Sequence, residues 1–141
     1  MKLPAKVLYA CRAALELALR YKGERPVRIG QIAKAQDIPK NFLLQLMMRL
    51  KGAGIVQSAR GMNGGYFLAR QPGQITLGEV VRAVDGEIFA RGKRTRAGDP
   101  TGFVLLQIWD KANGAAAQLL EDETLEDVLR RCKREPINYQ I

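Results

Sequence analysis

The stretch from residue 27 to residue 68 constrains the fold more than any other part of the chain. It begins with a short amphipathic segment that breaks at Gln36-Asp37, and a second helix follows with Pro39 in its first turn, where a missing N–H costs nothing. Apolar side chains then recur three and four positions apart, which is the spacing of one buried helical stripe. These side chains are Phe42, Leu43, Leu46, Met47 and Leu50. The pattern predicts two helices joined by a tight turn.

The polar side chains of the second helix fall mostly between the members of this stripe and are predicted to face outward. They are Lys40, Asn41, Gln45 and Arg49. Two helices joined by a tight turn, with a polar and basic second helix, form a helix-turn-helix of the kind that fits the major groove of DNA. We therefore treat these four side chains as candidate DNA contacts.

A glycine-rich segment follows the second helix and predicts a pair of strands. Gly52 and Gly54 are suited to ending the helix, Ile55-Val56 begins a short apolar run, and Tyr66-Phe67-Leu68 returns as a second run. The turn between them is Arg60 to Gly65, in which Asn-Gly-Gly supplies residues that tolerate positive φ. Two strands joined by a basic, glycine-rich tip form a wing. The segment therefore predicts a winged helix-turn-helix domain.

The positive charge of the chain is concentrated in this same half. Residues 1–70 carry 13 Lys and Arg side chains against three carboxylates, whereas residues 71–141 carry ten against eleven. A solvated surface without a partner would not predict such a segregation. The distribution favours a polyanion as the partner of the first half, and double-stranded DNA is the polyanion that a helix-turn-helix fits.

Composition excludes several other classes of function. The chain has two cysteines, Cys11 and Cys132, and no histidine. Without histidine there is no Ser-His or Cys-His nucleophile and the commonest metal ligand is missing, so we expect no enzyme activity, no metal and no cofactor. No apolar run approaches the ~20 residues of a membrane span, and charged residues interrupt the N-terminus where a signal peptide would lie. We expect a cytoplasmic protein without a membrane partner.

Further helices are predicted on both sides of the winged region. The segment from Pro4 to Lys22 reads as a first helix, and Val27-Arg28-Ile29 could add a short strand to the wing. The apolar face of the first helix is predicted to carry Leu8, Cys11, Leu15, Ala18 and Leu19, and Glu16 is predicted to lie outside this face. Two Thr-x-x-acid patterns predict capped helices. They place one helix from about Leu77 to Val84 after Thr76 and another from Thr124 to about Arg130.

The segment from Glu87 to Pro100 has no useful periodicity, and we expect a mobile loop. It contains a basic run with Arg91, Lys93, Arg94 and Arg96. Two interpretations stay open: a solvated loop, or a site that binds an anionic effector or extends the contact with DNA.

A long helix is predicted from Gly102 to about Leu120. Its apolar side chains at helical spacing are Phe103, Leu106, Trp109, Ala112, Ala116 and Leu119. Because the winged domain already has a core, we expect this stripe, and in particular Phe103, Leu106, Trp109 and Ala116, to be buried against a second copy in a homodimer. The alternative is a helix folded back on its own domain. The predicted fold is thus mainly α with a small β-wing: residues 1–86 form a winged helix-turn-helix domain, 87–100 a basic loop, and 101–141 a dimerisation helix and C-terminal tail.

Several motifs, in the right order, resemble one family of bacterial winged-helix regulators, which includes the iron–sulfur-cluster regulator IscR, the nitric-oxide-sensing repressor NsrR and the cysteine-metabolism repressor CymR. The most specific match is Arg60-Gly61, two variable residues and Gly64-Gly65-Tyr66, and the run 75–86 is another. The resemblance is close over residues 1–86 and only general over 101–130. It implies a dimeric DNA-binding transcription regulator with the long C-terminal helix as the dimer interface.

The resemblance also implies roles for single residues. Matching positions place Lys6 and Tyr9 on the phosphate backbone, Asn41 and Gln45 in the major groove, and Arg60-Gly61 in the minor groove. The candidate DNA contacts in full are Lys6, Tyr9, Arg28, Lys40, Asn41, Gln45, Arg49, Ser58, Arg60, Gly61 and Asn63. At Leu44 some relatives carry an acidic residue that tunes base choice, so the target sequence is expected to differ.

The chain departs from the family in the loop after Gly86. Sensor members place three cysteines there to hold an iron–sulfur cluster, which needs thiolate ligands. Residues 87–100 contain no cysteine, so we expect the cluster site to be absent. Three alternatives stay open: a cluster held by Cys11 or Cys132 with other ligands, a redox-sensing thiol at Cys132, whose basic neighbours favour thiolate, and a winged helix that binds protein instead of DNA. The last is opposed by the basic residues of the second helix and wing.

Overall fold

The computed structural model describes residues 2–23, 25–90 and 92–134 of the 141-residue chain. The predicted C-terminal tail from residue 135 and Arg91 of the predicted basic loop lie outside the described residues. Elsewhere the chain forms six α-helices and a two-stranded antiparallel sheet, which confirms the predicted fold class. The elements are α1 (Ala5–Leu19), α2 (Ile29–Gln36), α3 (Lys40–Gly52), β1 (Val56–Ala59), β2 (Gly65–Leu68), α4 (Leu77–Val84), α5 (Pro100–Glu121) and α6 (Leu125–Arg134). No helix in the described part of the chain has the length and apolar character that crossing a membrane requires.

Helix α1 lies at the centre of the core. It packs against α2, α3, α4 and α6, and its alanines Ala10, Ala13 and Ala14 are completely buried, since small side chains let neighbouring helices approach closely. The predicted buried face was partly wrong, because Leu19 is 56% exposed whereas Leu17 is buried. Because α1 contacts helices on several sides, its buried residues are not confined to a single stripe of large side chains.

The buried position of Glu16 also corrects the sequence prediction, which placed this side chain outside the apolar face. Glu16 is 7% exposed. Its carboxylate accepts hydrogen bonds from Arg20 Nε at 3.1 Å and from Gln36 Nε2 at 3.2 Å. Because a buried carboxylate is tolerated when it is paired and hydrogen-bonded, this side chain can join α1 to the end of α2.

The helix-turn-helix has the predicted break. Asp37 adopts the left-handed conformation, with φ 53° and ψ 54°, and Ile38 N–H donates to Ala33 O at 2.9 Å. Pro39 precedes α3 as its N-cap instead of lying in its first turn. The buried stripe of α3 is confirmed at Leu43, Leu46, Met47 and Leu50. The fifth predicted member, Phe42, is 36% exposed.

The wing consists of β1 and β2, paired from Val56 with Leu68 to Ala59 with Gly65. The predicted third strand is present only as a bridge, in which Val27 and Tyr66 exchange two hydrogen bonds of 2.8 Å. The turn geometry agrees with the prediction in part, since Gly65 of the Asn-Gly-Gly segment has positive φ (156°), whereas Asn63 does not and Gly61 does (101°). A Cβ atom at Gly65 would lie 2.5 Å from Val27 O. Gly65 is therefore required by the close approach of these two backbones.

Replacement of Gly65 by alanine is expected to lower the free energy of unfolding by about 1–3 kcal/mol, because the new Cβ meets backbone atoms in a strained conformation. Urea denaturation followed by circular dichroism measures the change. The control is Gly30→Ala in α2, where a Cβ would meet no atom within 4 Å and where alanine should raise the stability by about 0.5–1 kcal/mol. Equal midpoints for Gly65→Ala and the wild type would contradict the assignment.

Both predicted capping boxes are confirmed. Thr76 Oγ1 accepts from Glu79 N–H at 3.1 Å while Glu79 Oε2 accepts from Thr76 N–H at 3.0 Å. The same pair of bonds joins Thr124 and Asp127, both at 3.0 Å. The hydrogen bond from Thr124 N–H is the main cause that lowers the pKa of the Asp127 carboxyl. Each box satisfies backbone donors that a helix start leaves unpaired.

Helix α6 returns to the winged domain. Leu125 is completely buried, and its N–H donates to Ile75 O at 2.9 Å. The helix packs against α1 and extends to Arg134, beyond the predicted end near Arg130. The predicted division after residue 86 therefore differs from the packing, because a segment assigned to the dimerisation region completes the core of the first domain.

The segment between α4 and α5 starts on the core. Ile88 and Phe89 are half-buried against it, and Ala90 N–H donates to Glu87 O at 3.0 Å. A Cβ atom at Gly92 would lie 2.7 Å from Leu106 Cδ2, so the segment also contacts α5 at this point. Asp99 then caps α5 by accepting from Gly102 N–H at 3.0 Å.

Candidate nucleic-acid interface

An open cleft of about 820 Å³ separates the helix-turn-helix from the wing. One side is formed by the start of α2 and by Lys40, the first residue of α3, and the other by the wing tip at Gly61, Met62 and Gly64. The Arg28 guanidinium donates to the Met62 carbonyl across the cleft. The wing tip is thus attached to α2, the helix that precedes α3, and the two elements present one surface.

The candidate contacts on this surface are accessible. Lys40, Asn41 and Gln45 are exposed on α3, opposite the side chains that anchor the helix in the core. Arg60, Gly61 and Asn63 are exposed at the wing tip. The arrangement provides cationic groups beside amide groups that can donate and accept hydrogen bonds, which suits both phosphate and base edges.

Two other candidate contacts are held by neighbours within the fold. The ring of Tyr9 packs edge-on against Phe42 with centroids 5.6 Å apart, which places α1 against the start of α3. Ser58 on β1 accepts a hydrogen bond from Lys51 Nζ at 2.7 Å. Lys51 was not among the predicted contacts, although its position in the last turn of a basic helix could have indicated it.

The two remaining candidates contact the end of α4. Lys6 Nζ lies 3.6 Å from Asp85 Oδ2, and Arg49 Nη1 donates to Val84 O at 2.8 Å. One guanidinium nitrogen of Arg49 is therefore bonded within the chain, although Arg49 is exposed, as Lys40 and Gln45 are. Neither partner is close to these residues in sequence, and no local pattern signals such contacts.

Helix α5 exposes an extensive apolar surface. Phe103 is 57% exposed and Trp109 67%, whereas Leu106 and Ala116 of the predicted stripe are half-buried. The stripe prediction missed Val104, Leu105 and Ile108, which are exposed by 50–60%. The nearly unbroken apolar run from Phe103 to Trp109 could have indicated them, because a helix that is apolar on all sides is usually covered on all sides.

The basic run after α4 is solvent-facing where it is described. Lys93, Arg94 and Arg96 are exposed, and the fourth predicted member, Arg91, lies outside the described residues. These residues lie in the segment of the chain that joins α4 to α5.

The cysteines do not form a cluster site with this loop. Burial raises the pKa of the Cys11 thiol to about 11, and Cys132 is exposed on α6. Among the described residues, no group of three or more Cys, Asp or Glu side chains is arranged to hold a metal ion, and the whole chain has no histidine. The donor set therefore does not fit an iron–sulfur cluster, which needs several thiolates close together.

Alkylation of the folded protein at pH 8 is expected to modify one thiol per chain, that of Cys132. The raised pKa of Cys11 means that only about one molecule in a thousand carries its thiolate at this pH. Mass spectrometry after reaction with iodoacetamide counts the modified thiols. Unfolding in urea should raise the count to two, and Cys132→Ser should leave the folded chain unmodified. Rapid modification of Cys11 in the folded chain would contradict the raised pKa of its thiol.

Known proteins that resemble this chain in sequence and structure are transcriptional regulators by name. A family model described as Rrf2, an iron-dependent transcriptional regulator, matches residues 3–131. The HTH-type transcriptional regulator CymR of Bacillus subtilis is 31% identical over 128 residues, which cover 91% of this chain and 89% of that protein. The HTH-type transcriptional regulator IscR of Cronobacter sakazakii is 34% identical over 131 residues, covering 92% and 80%. The solved structure of T. potens IscR has a TM-score of 0.79 and 31% identity, and the match covers 99% of this chain and 94% of that one. The chain belongs to the Rrf2 family of transcriptional regulators.

Proposed function

We propose that the chain binds a palindromic operator as a homodimer and represses transcription by occupying a promoter. The observation that carries the proposal is the exposed polar face of α3 beside a basic wing, which is attached to α2 across the cleft. A recognition helix and a wing held in one surface can enter adjacent grooves of the same duplex.

The proposed contacts divide by chemistry. Asn41 and Gln45 would read base edges in the major groove, because an amide can bond an adenine through two atoms. Arg60-Gly61 would enter the minor groove. Phosphates would be bound by the remaining polar and cationic groups, which fix register and release counterions. These are Lys6, Tyr9, Arg28, Lys40, Ser58 and Asn63.

The dimer would form through α5. Phe103, Trp109 and the neighbouring Ile108 expose more apolar surface than a single soluble chain usually leaves uncovered. A second copy related by a two-fold axis would cover the same patch on both chains. The same axis would present two recognition helices to the two halves of a palindrome.

The proposed regulator works without an iron–sulfur cluster. Lys93, Arg94 and Arg96 stand in the segment where the family's sensor members carry cysteines, and cations there suit an anionic small molecule. Such an effector would act on the segment that joins the winged domain to α5, and ordering it could change the spacing between recognition helices.

To test this proposal, the protein is purified without oxygen and mixed with fragments of genomic DNA. The fragments that it binds are then selected and sequenced. We expect a palindromic sequence, bound with the same affinity before and after chelation, and less than stoichiometric iron and sulfide. Stoichiometric iron and sulfide, with DNA binding lost on their removal, would overturn the cluster-free mechanism. Failure to select any sequence would overturn the DNA-binding proposal itself.

Removing the positive charges of the loop tests whether it is an effector site or only a linker. The triple variant Lys93→Gln, Arg94→Gln and Arg96→Gln is expected to alter either the response to anionic metabolites or the salt dependence of DNA binding. A variant that matches the wild type in both measurements would show that the loop only connects the two parts of the chain.

A further inference from the structure

The last residue of α4 and the C-cap residue after it contact two elements that carry candidate DNA contacts. Val84 accepts a hydrogen bond from Arg49 of the recognition helix at 2.8 Å, and Asp85 forms an ion pair of 3.6 Å with Lys6 at the start of α1. We call Val84 and Asp85 the α4 end. Neither residue belongs to the helix-turn-helix or the wing.

The contact with Arg49 has a clear physical basis. The final four carbonyls of an α-helix lack partners within the helix, and a cation near this end is favoured by the helix dipole. The Arg49 guanidinium meets both conditions at Val84 O. Because Arg49 lies in the last turn of α3, the bond fastens the far end of the recognition helix, while the Tyr9–Phe42 contact lies near its beginning.

The contact between Asp85 and Lys6 places a carboxylate beside a candidate phosphate contact. The Lys6 side chain is 40% exposed and that of Asp85 is 18% exposed, so the ammonium group remains accessible to a second anion. A carboxylate beside it offsets the charge that a phosphate would use. Binding of a phosphate by Lys6 therefore competes with the ion pair.

The α4 end is also the start of the segment that leads to α5. Ile88 N–H donates to Asp85 O at 3.3 Å, and Ile88 packs against the core. A rearrangement of residues 87–100 would thus act first on the residue that pairs with Lys6 and on the carbonyl next to it.

We propose that the α4 end controls DNA binding at two points, with Arg49 as a positioning residue for the recognition helix and Asp85 as an intramolecular competitor for Lys6. The proposal rests on the proposed DNA-binding function. It assigns Arg49 a role inside the fold, in place of the direct DNA contact expected from its position on a polar helix face.

The Asp85 arm is tested with Asp85→Asn, Lys6→Ala and the double variant, each measured by fluorescence anisotropy on the selected operator and on random DNA over a range of salt. Asp85→Asn is expected to tighten binding to both DNAs by about two- to fivefold, the size of an exposed ion pair, with a salt slope steeper by up to about one unit. In the Lys6→Ala background the same substitution should have no effect. The matched control is Glu87→Gln, which removes the same charge two residues later from an exposed side chain.

The two controls distinguish the outcomes of this arm. Equal tightening by Asp85→Asn and Glu87→Gln, or an undiminished effect in the Lys6→Ala background, would overturn the competition. No binding of the wild type to any DNA would instead overturn the proposed function, so the two failures are distinguishable.

The Arg49 arm compares Arg49→Ala with Arg49→Lys. Loss of positioning should weaken operator binding by about tenfold or more while random DNA and the salt slope stay close to wild type, because random DNA is bound mainly through phosphates. Lysine keeps one donor for Val84 O and should restore part of the lost affinity. Circular dichroism establishes that both variants are folded. A salt slope lower by about one unit, with equal losses on operator and random DNA, would show that Arg49 contacts a phosphate directly and would overturn its positioning role.

Discussion

Replacement of Trp109 by glutamate is expected to give a monomer and to weaken binding to a palindromic operator by about 10²–10⁴-fold, the gain that linking two binding modules provides. The indole is 67% exposed on α5, so the substitution leaves the core of the chain intact while it places a charge in the proposed interface. Light scattering gives the mass, and anisotropy compares the palindrome with a single half-site. Affinity for the half-site should stay close to wild type.

The choice of position and control makes this test specific. Leu106→Glu should also give monomers, but Leu106 is half-buried beside Gly92, so it would disturb the loop as well. Leu19→Glu is the matched control, because Leu19 is a similarly exposed apolar residue on α1 (56%) outside the proposed interface. This variant should remain dimeric. A wild-type chain that is monomeric at concentrations on the order of tens of micromolar, far above the dissociation constant of a tight dimer, would refute the dimer.

Replacement of Gln45 by alanine is expected to cost about 1–3 kcal/mol on the operator and almost nothing on random DNA. The side chain is exposed in the middle of α3, and its amide can form two hydrogen bonds with one adenine, which is the contact that discriminates bases. Titration of labelled operator and labelled random duplex at one salt concentration measures the ratio of the two dissociation constants. We expect the preference for the operator to fall by about five- to 150-fold, which is the same 1–3 kcal/mol expressed as a ratio.

A glutamine outside the surface provides the control. Gln71 is exposed and lies in the loop between β2 and α4, so Gln71→Ala should leave both dissociation constants unchanged. Equal losses on operator and random DNA for Gln45→Ala would place Gln45 on the backbone of the DNA and remove it from the base-reading set.

Features with a local cause were predictable from the sequence. The break at Asp37, the buried stripe of α3 and the capping boxes at Thr76 and Thr124 all depend on residues within four positions of each other. A local sequence pattern predicts an element correctly when the interactions that stabilise the element are between its own residues. The wing was predicted for the same reason, although its positive φ values fall at Gly61 and Gly65.

Features that depend on distant partners were missed. Burial of Glu16 requires Gln36 from another helix, and the return of α6 requires the backbone of Ile75 to receive Leu125. The candidate surface shows the same division. The sequence placed Lys40, Asn41 and Gln45 on the outward face of α3, where the structure has them, but it could not distinguish them from Arg49.

The sequence alone determined the order of elements, the polar outer face of α3, the basic wing and the absence of the cluster cysteines. Each of these features depends on residues that are close together in the sequence. Only the tertiary structure decided which polar groups are already paired within the chain. Arg49 and Lys6 meet Val84 and Asp85 across 35 and 79 positions of sequence, and side chains so far apart are brought together by the packing of α1, α3 and α4 around one core. The physical reason is that a hydrogen bond or ion pair requires atoms within a few ångströms, and chain folding, not residue type, sets that distance.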